Sequence, residues 1–253
     1  MTARSEDSRE VPEPPWLQSR KRRGPTRTPL SREAIIDAAL LVLDREGLDG
    51  VSMRRVAEEL GTTAGALYWH VRNKEELLSL VFDRVAGELD LPLPDASRWE
   101  EQFKDVAREA RRVMLRHRDI ARFSVGRIPL GPNALRVTEW MLALLRAAGV
   151  PDRAAAYAGD LFGLYVGAHA FEETVGLLSP TGEPLPPDEV LAMMRGYIVS
   201  LPRAQFPNTV ELVDELMSGG PDERFEFGLD VIVRGLAAQA RGSHSTDTSL
   251  PAP

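Results

Sequence analysis

The sequence SMRRVAEELGTTAGALYWHVRNK, residues 52–74, decides the fold of the first part of the chain. It contains two short amphipathic segments separated by a turn. The spacing of Ala57, Gly61 and Leu67 fits a helix-turn-helix, because it places a small residue where two helices touch, a glycine in the turn and an apolar residue under the second helix. Chance packing of two short helices would give the same spacing, so the spacing alone leaves both interpretations open.

Helical patterns flank this motif on both sides. Ser31 and Ser52 are suited to cap the first two helices, and Gly47 is placed to end the first. Asn73, with a glutamate three residues later, caps a fourth helix that extends to about Leu89. Further helices are predicted near residues 97–117, 119–125, 132–148, 152–176, 188–200, 208–217 and 222–240. No segment alternates with a period of two, so the sequence predicts an all-α protein.

Composition limits the class of protein. The chain has 253 residues, of which 43% are hydrophobic and 27% charged, as in a globular protein of one or two domains. It has no cysteine and only four scattered histidines, and it shows no phosphate loop or pair of nucleophile and base. We therefore expect no enzyme, no catalytic residue, no metal and no cofactor. The absence of a signal core or a long apolar run predicts a cytoplasmic protein without a membrane partner.

Charge is distributed unevenly along the chain. The net charge is −7, but residues 1–74 carry 13 lysines and arginines against 11 acidic residues, which leaves 18 against 27 for residues 75–253. Residues 1–29 are rich in proline and basic side chains and lack apolar periodicity, which predicts a flexible basic arm. The arm either contacts DNA beside the main site or serves as a solubilising tail, and the sequence leaves both open.

Residues 30–78 resemble the DNA-binding domain of TetR-family transcriptional regulators. The resemblance is carried above all by LYWHV, residues 67–71, followed by Asn73 and Lys74. It is similar to the tetracycline-repressor branch, which includes repressors of antibiotic-export genes. HRD at 117–119 and FEFGL at 225–229 look like that branch's ligand-binding domain. The resemblance implies a three-helix helix-turn-helix domain and a helical-bundle ligand-binding and dimerisation domain.

The resemblance also implies which residues contact DNA. Arg54 matches a base-reading position, and its guanidinium can bond guanine bidentately. Lys74 matches a phosphate contact. The recognition helix and its approach are implied at Thr62, Thr63, Ala64, Gly65, Ala66, Tyr68, Trp69 and His70. Trp69 has the alternative of seating the helix on its own domain, and we interpret Arg55 as a solvated surface residue.

The resemblance divides the chain into an arm at 1–29, a DNA-binding domain at 30–74, a ligand-binding and dimerisation domain at 75–240 and a disordered tail at 241–253. It implies a homodimer on a palindromic operator, with an interface like a four-helix bundle. Candidate interface residues are Tyr157, Leu161, Leu164, Tyr165, Ala168, Phe225, Leu229, Ile232, Val233 and Leu236. Packing within one chain is the alternative for each of them.

The middle helices are expected to enclose a pocket for a small-molecule inducer. Candidate lining residues are Trp99, Phe103, Met114, Phe123, Trp140, Met141, Phe162, His169, Met193 and Met194, with core packing as the alternative for each. The positions that match the tetracycline repressor's ligand residues carry Asp90, Val106, Ala110 and Ser124 instead of its histidines, asparagine and aromatic residue. A bulky, largely apolar ligand is therefore expected rather than tetracycline with magnesium.

These expectations describe a ligand-responsive repressor whose helix after Asn73 acts as a lever between pocket and DNA. The alternative is a helical adaptor, or a small-molecule-binding protein, without specific operator binding. Specific, salt-dependent binding to an operator distinguishes the two.

Overall fold

The computed structural model describes residues 30–127, 130–175 and 185–245, and within these ranges the chain forms helices joined by turns, with no strand. The all-α prediction is confirmed. The predicted basic arm, residues 1–29, and residues 246–253 of the predicted tail lie outside the described residues. The helices are α1 (Arg32–Gly50), α2 (Met53–Glu59), α3 (Ala64–Leu67), α4 (Lys74–Ala86), α5 (Trp99–Arg116), α6 (Ile120–Ser124), α7 (Pro132–Ala147), α8 (Asp152–Thr174), α9 (Pro187–Ser200), α10 (Pro207–Glu211), α11 (Val213–Met217) and α12 (Pro221–Ser245).

The first three helices form the front of the protein. Ser52 caps α2 as predicted, because its hydroxyl accepts a hydrogen bond from the backbone N–H of Arg55 at 3.1 Å. Gly61 adopts a φ of 60° in the turn between α2 and α3, a left-handed conformation that favours glycine. Ala57 and Leu67 are both buried where α2 and α3 meet. The helix-turn-helix interpretation of this spacing is therefore confirmed.

A side-chain cap starts α4, as predicted. The Asn73 side-chain oxygen accepts a hydrogen bond from the backbone N–H of Glu76 at 2.8 Å. The Glu76 carboxylate accepts in turn from the backbone N–H of Arg72 at 2.7 Å, one residue before the position that a capping box uses. This bond is the main reason why the pKa of Glu76 lies below its ordinary value. The direction in which α4 leaves the front is thus fixed by local hydrogen bonds.

The remaining helices pack around α8. Helices α5, α6, α7 and α12 all contact α8, and their shared core includes Phe103, Leu144 and Phe225. Helix α4 contacts α1 on one side and α5, α6 and α7 on the other, so it joins the front to the rear. Helix α9 packs against α10 and α11, and none of its described side chains is buried. None of the helices in the described ranges combines the length and apolar character that a membrane span requires.

Several helix boundaries differ from the prediction. Helix α4 ends at Ala86 rather than near Leu89. Gly47, with a φ of 77°, interrupts α1 but does not end it, since one more turn reaches Gly50. The segment predicted as one helix at 208–217 is divided at Leu212 into α10 and α11. Residues 241–245 belong to α12 rather than to the predicted tail, because the strong helix formers LAAQA, residues 236–240, stand just before them and propagate the helix.

Candidate DNA-binding and ligand-binding sites

The candidate recognition helix, α3, is held in place by buried side chains, while other side chains on it and just after it are exposed to water. Leu67 and Val71 are buried beneath it. Tyr68 and His70 are exposed, and the Trp69 side chain is 90% exposed. Trp69 therefore does not seat the helix on its own domain, and that alternative is wrong. An indole left in water has its apolar surface and its N–H donor available to a partner.

Arg54 and Arg55 are neighbours in sequence but face different surroundings. The Arg54 side chain is 87% exposed and approaches only Glu58, at 3.5 Å, among the ion pairs of the described residues. Arg55 is 28% exposed and bonds Glu46 at 2.7 Å and Glu59 at 2.9 Å. These bonds raise the pKa of the Arg55 guanidinium, with Glu46 as the largest cause. The interpretation of Arg55 as a solvated surface residue is wrong: it ties α2 to α1, while Arg54 is left available.

The other predicted DNA contacts lie at the start of α3 and at the start of α4. Thr63 begins α3 and its side chain caps no backbone group of the helix, and Thr62 and Ala64 are half-buried beside it. The Lys74 ammonium donates to the carbonyl oxygen of Leu48 at 3.1 Å, so it lies at the end of α1. A phosphate contact from Lys74 stays a prediction.

Gly65 is exposed in α3, and the fold itself does not need a glycine there. A Cβ added to Gly65 would meet only the Thr63 hydroxyl, at 3.8 Å, and its φ is not in the left-handed region. A glycine inside a helix is less favourable than alanine by about 0.5–1 kcal/mol. The packing of the described residues therefore gives no reason for a glycine at this position.

Polar residues just before α6 and within it form hydrogen bonds and an ion pair with the end of α1. The Asp119 carboxylate accepts from the backbone N–H of Leu48 at 2.9 Å, and Arg118 donates to the carbonyl oxygen of Arg45 at 3.0 Å. Arg122 pairs with Asp49 at 3.1 Å. Asp119 itself has a φ of 59°, a conformation rare outside glycine. The motif HRD at 117–119 was predicted only as part of a resemblance, and its contact with α1 was missed.

His117 joins three elements at the same junction. Its Nδ1 lies 3.1 Å from the Asp44 carboxylate of α1, and its Nε2 lies 3.2 Å from the carboxylate of Glu88, just after α4. Together with the α6 contacts, this histidine makes the junction polar and directional.

The ten predicted pocket residues divide into three groups. Five are buried in the rear core: Phe103, Phe123, Trp140, Met141 and Phe162. Three are half-buried: Trp99, Met114 and His169. Met193 and Met194 are exposed on α9, apart from the rest.

Within the buried group, the rings come from different helices. Phe103 of α5 and Phe162 of α8 meet edge to face with centroids 5.6 Å apart. Phe123 of α6 lies near Phe82 of α4 at 6.3 Å. The structure therefore packs aromatic side chains between α5 and α8 and, separately, between α4 and α6. In the described ranges no cluster of histidine and acidic side chains is placed to hold a metal ion.

His169 belongs to a different cluster. Its ring lies 4.6 Å from Tyr165 and 5.3 Å from Phe225, centroid to centroid. The Tyr165 hydroxyl donates to the carbonyl oxygen of Phe225 at 2.8 Å, and burial raises the pKa of this hydroxyl. A Cβ on Gly228 would overlap the Tyr165 ring, which explains the glycine of FEFGL.

Three basic residues of α5 pair with three acidic residues of α12 on successive turns. Lys104 pairs with Asp230, Arg108 holds Glu226 through two bonds of 2.7 Å, and Arg111 reaches Asp222 at 2.7 Å. Arg108 lowers the pKa of Glu226, and Lys104 lowers that of Asp230. Arg111 is buried, also bonds Glu173, and lies 4.7 Å from the centroid of the Phe225 ring. This ion-paired seam fixes α12 against α5.

The opposite faces of α8 and α12 carry apolar side chains that no other residue in the described ranges covers. A groove of about 580 Å³ runs between the two helices, and its lining includes Tyr157, Leu161, Val231 and Ile232. Tyr157, Leu161, Leu164, Phe227 and Val231 are all exposed large apolar residues. Because this face joins two long helices, it has the form expected of a helical dimer interface.

The predicted interface residues divide into exposed and buried positions. On α8, Tyr157, Leu161, Leu164 and Ala168 are exposed. On α12, the prediction is wrong for Phe225, Leu229 and Val233, which are buried in the core of their own chain, whereas Ile232 and Leu236 line the groove. Tyr165 is likewise used within the chain, by the bond described above. Phe227 and Val231, which point the other way from α12, were missed.

Two family models match this chain. The family model described as "Bacterial regulatory proteins, tetR family" matches residues 35–81, and "Tetracyclin repressor-like, C-terminal domain" matches residues 91–240. An HTH-type transcriptional regulator of Saccharopolyspora erythraea is 32% identical over 95% of this chain and 99% of its own length. Tetracycline repressor protein class D of Escherichia coli is 31% identical over 83% of this chain and 90% of its own.

Among solved structures, the chain is similar to the Streptomyces coelicolor TetR family protein ActR in complex with actinorhodin. The TM-score is 0.75 with 44% identity, over 83% of this chain and 97% of ActR. The two relatives named above and ActR are thus similar to this chain over both its front and its rear.

Proposed function

The chain belongs to the tetR family of bacterial regulatory proteins, and from that premise we propose that it is a ligand-responsive transcriptional repressor. In this proposal a homodimer binds a palindromic operator, and a bulky, largely apolar small molecule releases it. The observation that carries the proposal is the Trp69 side chain, 90% exposed on a helix that Leu67 already seats. A side chain of this size left in water on a recognition helix indicates a partner outside the chain.

We assign residues 30–74 to DNA binding. Arg54 reads a base edge, Thr63 contacts a base edge or a thymine methyl, and Tyr68 and His70 donate to phosphates. Gly65 lets the helix backbone approach the DNA. The exposure of Arg54 and Tyr68 and the open space at Gly65 support these roles. The basic arm, residues 1–29, is proposed to add contacts beside this site.

We assign residues 75–240 to ligand binding and dimerisation. The dimer forms through the apolar face of α8 and α12 that includes Tyr157, Leu161 and Val231, because a second copy packed on this face removes these exposed side chains from water. Two recognition helices in such a dimer can read two half-sites about one helical turn of DNA apart.

The ligand site is proposed among the rings of α5, α6, α7 and α8. ActR, which is 44% identical, has been solved in complex with actinorhodin, and we propose a ligand of similar chemistry for this chain. Tetracycline with magnesium is not supported. Val106 and Ala110 are buried apolar residues, and the Ser124 hydroxyl donates to the carbonyl oxygen of Ala121 at 2.8 Å.

Release follows if the ligand favours a different spacing of the two recognition helices. Movement of the rear reaches the front through α4 and through the bonds that residues 117–122 make with α1. A ligand shifts such an equilibrium only by its difference in affinity for the two states. Operator-bound protein is therefore expected to bind the ligand more weakly than free protein.

We propose no catalytic activity, since the curated relatives named above are transcriptional regulators, and a site of action in the cytoplasm, where the operator lies. The relatives named above, a transcriptional regulator and a tetracycline repressor, favour this proposal over the alternative of a helical adaptor without specific operator binding.

The test is anisotropy titration and footprinting on the DNA that flanks the gene, with shuffled DNA as competitor. Trp69→Ala is expected to lose specific binding with no fall in Tm. Leu93→Ala is the matched control, because Leu93 is also 90% exposed but lies between α4 and α5. Equal binding to shuffled DNA would favour the adaptor. Actinorhodin is expected to raise Tm and release the DNA more than tetracycline with magnesium does. The reverse order would overturn the ligand assignment.

A further inference from the structure

The N-terminus of α7 is capped by a carboxylate that belongs to α4. Asp83 is 8% exposed, and its carboxylate accepts hydrogen bonds from the backbone N–H of Ala134 at 2.9 Å and from the Asn133 side-chain amide at 3.2 Å. An N-cap side chain normally bonds the backbone N–H at this third helical position. The N-cap residue of α7 is Gly131, which has no side chain to do so. Asp83 supplies the missing cap from another helix.

Two glycines let α4 and α7 come close enough for this bond. A Cβ on Gly131 would overlap the carboxyl group of Asp83. A Cβ on Gly87, at the end of α4, would come within 3.0 Å of the Asn133 side chain. Neither glycine has a positive φ, so the helix approach rather than the backbone conformation calls for glycine here.

Two more bonds from α7 reach the chain that follows α4. The Arg136 guanidinium donates to the carbonyl oxygen of Leu89 at 3.0 Å, and the Trp140 indole donates to that of Pro92 at 2.6 Å. Together with the Asp83 carboxylate, these two bonds connect α7 to the last turn of α4 and to the segment that follows it. Helix α7 also packs against α8, which carries the proposed dimer face.

We propose that Asp83 is a positioning residue that transmits the position of α7 through α4 to the recognition helix. The effect on DNA rests on the proposed function, whereas the mechanical link between α7 and the front does not. Nine residues separate Asp83 from Lys74 at the other end of α4. They span about 14 Å of helix, so a tilt of about 10° at Asp83 moves the start of α4 by about 2.4 Å.

The link can be measured without ligand or DNA. The chain has no cysteine, so nitroxides at Glu58→Cys on α2 and Glu139→Cys on α7 report the distance from the front to α7. Labelled chain is diluted with unlabelled chain, so that only distances within one chain are recorded. Asp83→Ala is expected to broaden this distance distribution or shift it by 2 Å or more, at roughly the scale of the tilt above. Ser79→Ala, an exposed residue of the same helix, is the matched control and is expected to leave it unchanged.

Two further variants separate a positioning role from simple loss of the cap. Asp83→Asn keeps one oxygen for the Ala134 N–H and is expected to restore most of the narrow distribution. Gly131→Ala is expected to disturb the wild-type chain as Asp83→Ala does, but to add little in the Asp83→Ala background, where the carboxylate is gone.

Operator affinity is recorded in parallel, and Asp83→Ala is expected to weaken it at least fivefold. A lower Tm with an unchanged distance distribution in Asp83→Ala would mean that Asp83 is only a cap and would overturn the proposal. If the wild-type chain binds no operator, the proposed function fails, but the distance distributions still decide whether Asp83 links α7 to the front.

Discussion

Replacing Gly65 by alanine is expected to stabilise the protein and weaken its binding to DNA. Within the chain, the new methyl group would meet only the Thr63 hydroxyl, at 3.8 Å. The helix gains about 0.5–1 kcal/mol from the change of residue alone. For a chain of this size, each kcal/mol raises Tm by about 2–4 °C, so a rise of about 1–4 °C is expected.

On the operator the sign reverses, because the proposed approach of the backbone leaves no room for a methyl group. Forcing an added methyl into a packed contact costs about 1–3 kcal/mol. A dimer carries the change twice, so the loss is about 2–6 kcal/mol, which corresponds to binding weakened at least about 30-fold.

Calorimetry measures the first effect and anisotropy titration on the flanking DNA measures the second. Gly196→Ala is the control: Gly196 is also a helical glycine with open space around it, but it lies in α9, far along the chain from the helix-turn-helix. It is expected to raise Tm without changing DNA affinity. Unchanged affinity in Gly65→Ala would refute the close approach of α3 to DNA.

Three further predictions follow from the side-chain contacts. Arg54→Ala should weaken operator binding about tenfold or more, because a bidentate contact is worth about 1–3 kcal/mol. It should also relax the preference at one base pair, measured with a panel of operator variants. Arg55→Ala should lower Tm and leave that base preference intact. Arg108 lowers the pKa of Glu226 below 4.5 in the folded chain. Their pairing therefore stabilises the fold fully above pH 4.5, and this stabilisation is lost as the pH falls through the lowered pKa. Between pH 7 and 3, the Tm of Glu226→Gln should fall less steeply than the Tm of the wild-type chain. Leu161→Arg should convert dimers to monomers in sedimentation without unfolding the chain, whereas persistent dimers would rule out the face of α8 and α12.

Signals that act over a few residues could be predicted from the sequence. The caps at Ser52 and Asn73 and the turn at Gly61 depend on backbone groups within three or four residues, and all three are present. The residues alone left the exposure of Trp69 undecided, and only the family resemblance implied it, because a large apolar side chain on an amphipathic helix is more often buried than exposed. Its role depends on a partner outside the chain.

Contacts between residues that lie far apart in the sequence could not be predicted. Helix α12 has one apolar stripe through Phe225 and Leu229 and a second through Phe227 and Val231, and helical spacing does not say which one faces a second copy. The bond from Asp83 to Ala134 joins residues 51 positions apart, and no local pattern marks it. The division of 208–217 into two helices is likewise set by packing against α9.

The polar contacts around α4 bear on how a ligand could act at a distance. Apolar packing is non-directional and tolerates small slides, whereas a hydrogen bond weakens steeply as its angle departs from linear. At its start α4 is bonded through Lys74 to Leu48, and near its end Asp83 bonds α7 while His117 bonds Glu88, just past the helix. A helix held by directional bonds at both ends has a few favoured orientations relative to its neighbours rather than a continuous range of orientations. A ligand that moves α7 therefore has to break or re-form these bonds, and this makes α4 suited to switch between two positions rather than bend gradually.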